Sequence, residues 1–280
     1  MKEHREIYFI PTLTTEAGRC LTVENWQDVG ISMAAYDLIA LLMKPGFELL
    51  SELPDLATYV GWQGDVVLNA TLPDISKDEV YTLRSEYDGS RSRYSQADIL
   101  KLIGQLKPQM VILPDGIDGW QSLSDTVLPL FSPVNLPKQS ERLFGVYFSY
   151  DATTSFSTLK QRIQNCEGLP CYVGGELTLA LMQELADLGV EYLSSDVPAR
   201  DASEGLVYAQ GEVISLTDNA YRMDFRVIDE QCPCPTCKQQ LTRAYLHHLL
   251  AHTPLLCQRF LIQHNVCHSS FTPAINTDIM

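Results

Sequence analysis

The amino-acid sequence predicts an α/β fold built as a barrel of parallel strands. Two observations carry the prediction. Short apolar runs alternate with stretches of helical periodicity, the signature of repeated βα units around a mainly parallel sheet. The chain runs to 280 residues, 45% of them hydrophobic, and no internal repeat, low-complexity tract or Gly/Ser linker divides it. An α/β barrel takes up about 250 residues. A single domain over residues 1–280 is therefore expected, with the barrel in 1–217 and a smaller subdomain in 218–280.

Taken in order, Glu6–Ile10 is the first strand, closed by Pro11. Thr22 to Gly30 reads as a short helix between a threonine cap and a glycine stop. Gly30–Ala35 and Asp65–Leu68 are the next strands, with a helix between them around Pro45–Tyr59. Ser95–Leu106 is an amphipathic helix behind a serine cap. Gln109–Leu113 is a buried strand that runs into the turn Pro114-Asp115-Gly116. Leu143–Phe148 is a strand and Thr158–Asn165 a helix; Cys171–Val173 leads into the helix Leu177–Leu188, which Gly189 stops. Val190–Ser194 is a strand, and Gly205–Ala209 with Glu212–Leu216 is a hairpin turning at Gln210-Gly211. In barrels of this kind, active sites lie at the C-terminal ends of the strands.

The spacing of cysteines is the most specific signal. Three of eight fall in Cys232-Pro-Cys-Pro-Thr-Cys237, a C-x-C-x-x-C run. Closely spaced thiolates on a tight turn supply three of the four tetrahedral ligands that a soft ion such as Zn²⁺ takes. The fourth has to come from elsewhere, and His247, His248, His252, His264 and His268 all lie downstream. Thr253-Pro254 reads as an N-cap and first helical residue. From there Leu256, Phe260 and His264 recur every four residues, which puts His264 on the buried stripe of a helix. The competing reading, three unliganded thiols beside a core histidine, leaves the clustering unexplained. Three thiolates and one imidazole leave no open position, so the expected ion is structural.

Thirty-five acidic residues against twenty basic ones give a net charge of −15, a field that repels nucleic acid. A polyanionic partner would need a local basic patch or a second subunit that brings one. Basic residues gather slightly near the C-terminus, at Lys238, Arg243 and Arg259. Cysteines 20, 166, 171, 257 and 267 have no disulfide-framework spacing, which points to a reducing, cytoplasmic setting. The apolar run near residue 10 is too short for a signal peptide or a membrane span.

Several of these residues together resemble a known family. Cys232-x-Cys-x-x-Cys237, then Arg243-Ala-Tyr-Leu-His-His-Leu249, then His264-Asn265 is similar to the zinc subdomain of the tRNA-guanine transglycosylases, the queuine or preQ1 tRNA-ribosyltransferases. Tyr192-Leu-Ser-Ser-Asp-Val-Pro-Ala-Arg200 with Gly205-Leu-Val-Tyr resembles the segment around their nucleophile, and Trp62-Gln-Gly-Asp-Val-Val-Leu-Asn-Ala70 the strand that ends in their aspartate-serine-glycine-glycine motif. Phe9-Ile-Pro11 and Lys44-Pro-Gly46 also fit. The resemblance implies a zinc-bearing (β/α)₈ barrel acting on tRNA. Between Val146 and Pro198 the chain is shorter than the family pattern, implying a barrel short by one βα unit.

In the family one aspartate attacks the ribose C1′ of a tRNA guanosine, a second handles protons, and a deazaguanine base completes the exchange. Carried onto this chain, the nucleophile's position is Ser194 and the proton-transfer position is Asn69, an amide that cannot shuttle a proton at neutral pH. Phe148 stands where the family's base-binding glutamine stands. Asp115 matches the aspartate that reads the guanine edge, or is an ordinary turn residue. Gly174 and Gly175 match the glycines beside the base, or merely end a loop; Arg200 matches a residue near the tRNA backbone, and Ser203 replaces the next basic one. On an extended strand Asp196 would point to the same side as Ser194 but about 7 Å further along, outside near-attack geometry. The resemblance thus implies a non-catalytic relative, paired with a catalytic transglycosylase subunit or with a second copy of itself. The alternatives are a base-exchange enzyme that uses Asp196 or Asp115, and a binder of a free 7-deazaguanine base.

Overall fold

The computed structural model describes residues 6–271 apart from 77, 139, 152 and 167. In chain order, β1 is Tyr8–Ile10, α1 Val23–Asp28, β2 Met33–Asp37, α2 Leu38–Leu41, α3 Phe47–Glu52, α4 Leu56–Val60 and β3 Asp65–Asn69. Next come β4 (Val80–Arg84), β5 (Arg91–Ser95), α5 (Gln96–Leu106), β6 (Met110–Ile112), β7 (Leu128–Phe131), β8 (Gly145–Tyr150) and α6 (Phe156–Gln164). They are followed by β9 (Cys171–Gly175), α7 (Leu179–Asp187), β10 (Tyr192–Ser194), α8 (Val197–Ser203), β11 (Leu206–Ala209) and β12 (Glu212–Ser215). Three helices close the chain: α9 (Pro235–Lys238), α10 (Arg243–His252) and α11 (Pro254–Phe271). β1, β2, β3 and β6 through β10 are the eight strands of one sheet, in the order β1-β10-β9-β8-β7-β6-β3-β2, and the fold is of the α/β barrel class.

No strand of the eight is missing, which corrects the expected shortfall of one βα unit. What the described residues lack is helix between β6 and β7, where only a single turn at Trp120–Ser122 forms, and between β7 and β8. Pro114, Gly116 and Gly119 in the first connection and Pro133 and Pro137 in the second are poor helix formers. Arg142 fastens the first connection instead: its guanidinium donates to the carbonyls of Leu123 (2.7 Å) and Val127 (2.6 Å).

The chain divides into two compact units. The first to be complete in sequence, Met33–Gly174, carries β2 through β8 and most of β9. β2 lies beside β3 with Asp37 opposite Asn69; β3 pairs with β6, β6 with β7, and β7 with β8. The strand interiors Val66, Val67, Leu68, Val111, Leu130 and Val146 are buried, as continuous apolar runs in a parallel sheet must be. α5 turns Ile99, Leu102, Ile103 and Leu106 inward at helical spacing. Its predicted start is held by a capping box in which Ser95 and Asp98 exchange hydrogen bonds with each other's backbone.

The second unit combines Met1–Ser32 with Gly175–Met280. β1 and β10 pair in parallel, Ile10 opposite Ser194. β11 and β12 form the predicted hairpin, whose turn residues Gln210 and Gly211 both have positive φ (52° and 84°), as a two-residue primed turn requires. α11 packs on α8, α9, α10 and β11.

Some boundaries differ from those the sequence predicts. β2 begins at Met33 and ends at Asp37, because Gly30 (φ 82°) ends the preceding turn and Asp37 caps α2 through Ala40 N–H at 2.9 Å. The helix expected around Pro45–Tyr59 is two: Pro54 restricts Leu53 to extended backbone, and Asp55 then caps α4. The β4–β5 hairpin, β7 and α8 are additions that the sequence pattern does not announce.

Candidate functional site

The C-x-C-x-x-C turn and α11 build one cluster within the second unit. One ligand atom from each of Cys232, Cys234, Cys237 and His264 lies within 4.8 Å of all the others. Tetrahedral ligation at a metal–sulfur distance of about 2.3 Å would set sulfurs about 3.8 Å apart. Cys234 is the N-cap of α9, and its Sγ accepts the Cys237 N–H at 3.3 Å. Thr236 ties the turn to α11 by donating its hydroxyl to the Phe260 carbonyl (2.7 Å).

His264 is fully buried, and its Nε2 lies 2.6 Å from the Tyr208 carbonyl oxygen. A carbonyl can only accept, so Nε2 carries the proton and the Nδ1 lone pair is left facing Cys234 Sγ (3.5 Å) and Cys237 Sγ (3.3 Å). That is the tautomer a metal ligand needs, set by an outer partner. Asn265 anchors the same helix: it accepts from Tyr208 N–H and donates to the carbonyls of Pro198 and Leu206.

Three of the groups perturb one another's protonation strongly. Hydrogen bonds from Cys234 and Cys237 pull the Cys232 thiol far below its ordinary value, while Cys232 and Cys234 push Cys237 far above it. Burial opposes a charge on His264, yet the sulfurs of Cys232 and Cys234 lift it to about 10. The cluster thus sets a favoured Cys232 thiolate beside protons held on His264 and Cys237, and a bound cation would take the place of those protons. The donor set fits a structural metal. Cys267 is a further member of the surroundings that the motif reading does not include; it lies one turn beyond His264, is buried, and its thiol is raised by its contact with Cys232. The i, i+3 spacing from His264 is the sequence signal that marks it.

The remaining positions fall in separate units. In Met33–Gly174, Asn69 ends β3; its amide N–H₂ donates to Asp37 Oδ2 (3.4 Å) and its oxygen accepts from Thr71 N–H (3.1 Å) and Oγ1 (2.8 Å). Asp37, not predicted as a site residue, is half-buried at the end of β2, and burial raises its carboxyl. Asp115 follows β6 and accepts the Ser132 hydroxyl at 2.7 Å. Asp115, Thr71, Ser132, Tyr147 and Phe148 line a cavity of about 340 Å³. Gly174 sits where a Cβ would be 3.3 Å from the Tyr147 ring and 3.4 Å from that of Tyr172.

In the other unit, Ser194 is buried at the end of β10. Ser195, also buried, donates to the Leu177 carbonyl (3.0 Å) and accepts from the N–H groups of Leu177 and Val197. Asp196 corrects the extended-strand expectation. The strand stops at Ser194, and Asp196 (φ −92°, ψ −7°) is the N-cap residue of α8, because Val197-Pro198 opens a helix. Its Oδ1 accepts the Thr15 hydroxyl at 2.7 Å, and burial raises its carboxyl. Gly175 has φ 134°, backbone that favours glycine. Arg200 pairs in bidentate fashion with Glu176 (2.8 and 2.5 Å), so its charge is already matched. No helix among the described residues is long and apolar enough to cross a membrane.

An α/β barrel with a Cys₃His cluster in its last third defines a class of barrel with a site fit for a structural metal. Comparison with known proteins narrows it. The family model described as queuine tRNA-ribosyltransferase matches residues 146–275. The queuine tRNA-ribosyltransferase of Thermoanaerobacter pseudethanolicus is 22% identical over 92% of this chain and 82% of its own length. That of Synechococcus sp. (strain CC9311) is 22% identical over 97% and 86%. The enzyme of Lachnoclostridium phytofermentans is 36% identical over 100 residues, 36% of this chain and 26% of its own. The chain is thus similar to the queuine tRNA-ribosyltransferases, through the family model over residues 146–275 and through relatives over most of its length.

Proposed function

We propose that this chain is a non-catalytic tRNA-guanine transglycosylase relative that serves queuosine-type tRNA modification as an accessory subunit in the cytoplasm. One match carries the reading: by the sequence resemblance, the family's nucleophile and proton-transfer positions fall on Ser194, which is buried at the end of β10, and Asn69, whose amide is engaged with Asp37 and Thr71. Neither can attack C1′ as a carboxylate or move a proton at neutral pH. Asp196 does not supply the deficit, because its carboxylate is bound to Thr15 beside the start of α8. The metal is zinc, held by Cys232, Cys234, Cys237 and His264 in a closed, structural site. A subunit role agrees with apolar side chains left open in the same compact unit. Met223 (68%), Phe225 (69%) and Tyr245 (47%) are exposed, and the Ala244 N–H to Asp224 carbonyl bond (2.8 Å) draws their segments together. The catalytic paralogue or a second copy of the chain would cover them. A second reading, a binder of a free deazaguanine base, draws on the cavity beside Asp115 within Met33–Gly174.

The test is incorporation of labelled guanine or preQ1 into bulk tRNA by the protein alone, with Asp196→Ala alongside. No incorporation, with metal bound and the fold intact, is the expected result. Incorporation that Asp196→Ala abolishes would make this an enzyme with a displaced nucleophile. Heat protection by the free base without tRNA would favour the base-binding reading.

A further inference from the structure

The connection that leaves the C-terminal end of β3 is not a simple loop. Before reaching α5 it forms the β4–β5 hairpin, in which Thr82 stands opposite Arg93 and Arg84 opposite Arg91. Strand alternation turns Tyr81 and Leu83 inward, where both are buried, and leaves Thr82, Arg84, Arg91 and Arg93 exposed. Three guanidinium groups therefore share one face of a two-stranded sheet. Arg84 and Arg91 are like charges directly across the ladder, an arrangement that costs stability. None of the three arginines forms an ion pair among the described residues. Against these cations the tip carries two acids, Glu86 and Asp88, and Asp88 is used in the turn, where hydrogen bonds from Ser85 and Ser90 hold its carboxyl at about 2. Beside the tip, Lys44 Nζ lies 3.7 Å from the centre of the Tyr87 ring, which is 59% exposed. In a chain of net charge −15, this is a local reversal of field.

We propose that the outward face of this hairpin docks the phosphate backbone of an RNA strand. Guanidinium forks match phosphate oxygens in bidentate geometry. Arginines two apart on a strand are spaced by about 7 Å and cross-strand neighbours by about 5 Å, so the face presents a short cationic lattice rather than a pocket. Such contacts hold and orient a strand without reading its sequence. The open Tyr87 ring adds a surface on which a base can stack, which acidic protein side chains would not use. The hairpin also rises from the strand end where barrel proteins engage their ligands. The choice of RNA over an acidic protein rests on the family reading above; the arginine face does not.

The experiment is fluorescence anisotropy of a labelled RNA stem-loop with the full chain, titrated at several salt concentrations. Arg91→Ala/Arg93→Ala is compared with Lys101→Ala/Lys160→Ala, which removes the same charge from exposed positions on α5 and α6. The arginine variant should bind at least about tenfold more weakly, and its log–log salt slope should fall by about 1.4, two contacts at about 0.7 each on a single strand. Its melting temperature should hold or rise, since a like-charge pair is relieved. Equal affinities and slopes for the two variants would overturn the proposal, as would displacement of the RNA by polyglutamate at equal charge, or no RNA binding by the unmodified chain. These outcomes leave the accessory-subunit reading standing. Base exchange by the protein alone would do the reverse.

Discussion

Cys234→Ser separates the metal from the rest of the local structure. Cys234 caps α9 by accepting the Cys237 N–H, and a serine oxygen can do the same. The bonds that hold α11 in place, His264 to Tyr208 and Asn265 to Pro198 and Leu206, do not involve the thiol. What the substitution removes is one buried thiolate of four ligands. Structural zinc sites contribute roughly 10–16 kcal/mol at neutral pH, against a total domain stability of about 5–15 kcal/mol. Losing a quarter to a third of the metal contribution, about 3–5 kcal/mol, corresponds to a fall in melting temperature on the order of 10 °C. Metal analysis of the purified protein, with melting followed by near-ultraviolet circular dichroism, measures both quantities. Cys257→Ser is the matched control. Cys257 is equally buried and donates to the Leu246 carbonyl, but it is outside the cluster, so that variant should keep its metal. A folded wild-type protein with less than about half an equivalent of metal would refute the reasoning. So would a Cys234→Ser protein that retains a full equivalent.

Two further expectations concern Met33–Gly174. A Cβ at Gly145 would sit 2.6 Å from Leu130 Cδ2 and 2.7 Å from the Pro170 carbonyl oxygen; the backbone atom cannot swing away, so Gly145→Ala should cost about 1–3 kcal/mol, read as a lower urea midpoint. An unchanged midpoint would show that the β7–β8 packing yields. Asp37 has its carboxyl raised by burial, so its folded state holds the proton more tightly than its unfolded state. That contribution is complete below the ordinary aspartate value and is lost as pH rises through the raised one. Asp37→Asn keeps an oxygen to cap Ala40. Relative to the parent it should therefore gain melting temperature toward neutral pH and lose that gain near pH 4. A difference independent of pH would contradict the burial account.

How much of this is legible in the sequence depends on how local each feature is. The metal cluster is legible, because three ligands lie within six residues and His264 falls on a four-residue helical repeat. So is the barrel class, since buried parallel strands such as Val66–Leu68 and Met110–Ile112 are plain apolar runs. β4 and β5 are not. Their outward positions are Thr and Arg, and Arg91-Ser-Arg-Tyr-Ser95 shows no apolar alternation, because a hairpin exposed on one face has little need of it. β7 is hidden by Pro129 within Leu-Pro-Leu-Phe, a residue that argues against an interior strand. α8 is hidden because Asp-Val-Pro reads as a turn when it is in fact a helix start. Charge counted along the chain points to the C-terminal Lys238, Arg243 and Arg259, and says nothing of arginine-bearing strands paired in a hairpin. Asp37 escapes a linear reading because its interest arises only across the sheet, in register with Asn69.

The division of the chain has a consequence for its synthesis. Met33–Gly174 is one continuous stretch, so it can acquire its structure while the ribosome is still translating the C-terminal third. The other unit cannot. β1 is made almost at once, but its partner β10 lies in Tyr192–Ser194, and the last ligand of the cluster arrives only with residue 264. For most of translation the N-terminal strand is an unpaired edge, and the three cysteine thiols emerge ahead of the imidazole that completes their cage. Long-range closure of this kind is slow. The nascent protein thus has an interval in which that strand is unpaired and the four side chains of the cluster are not yet together.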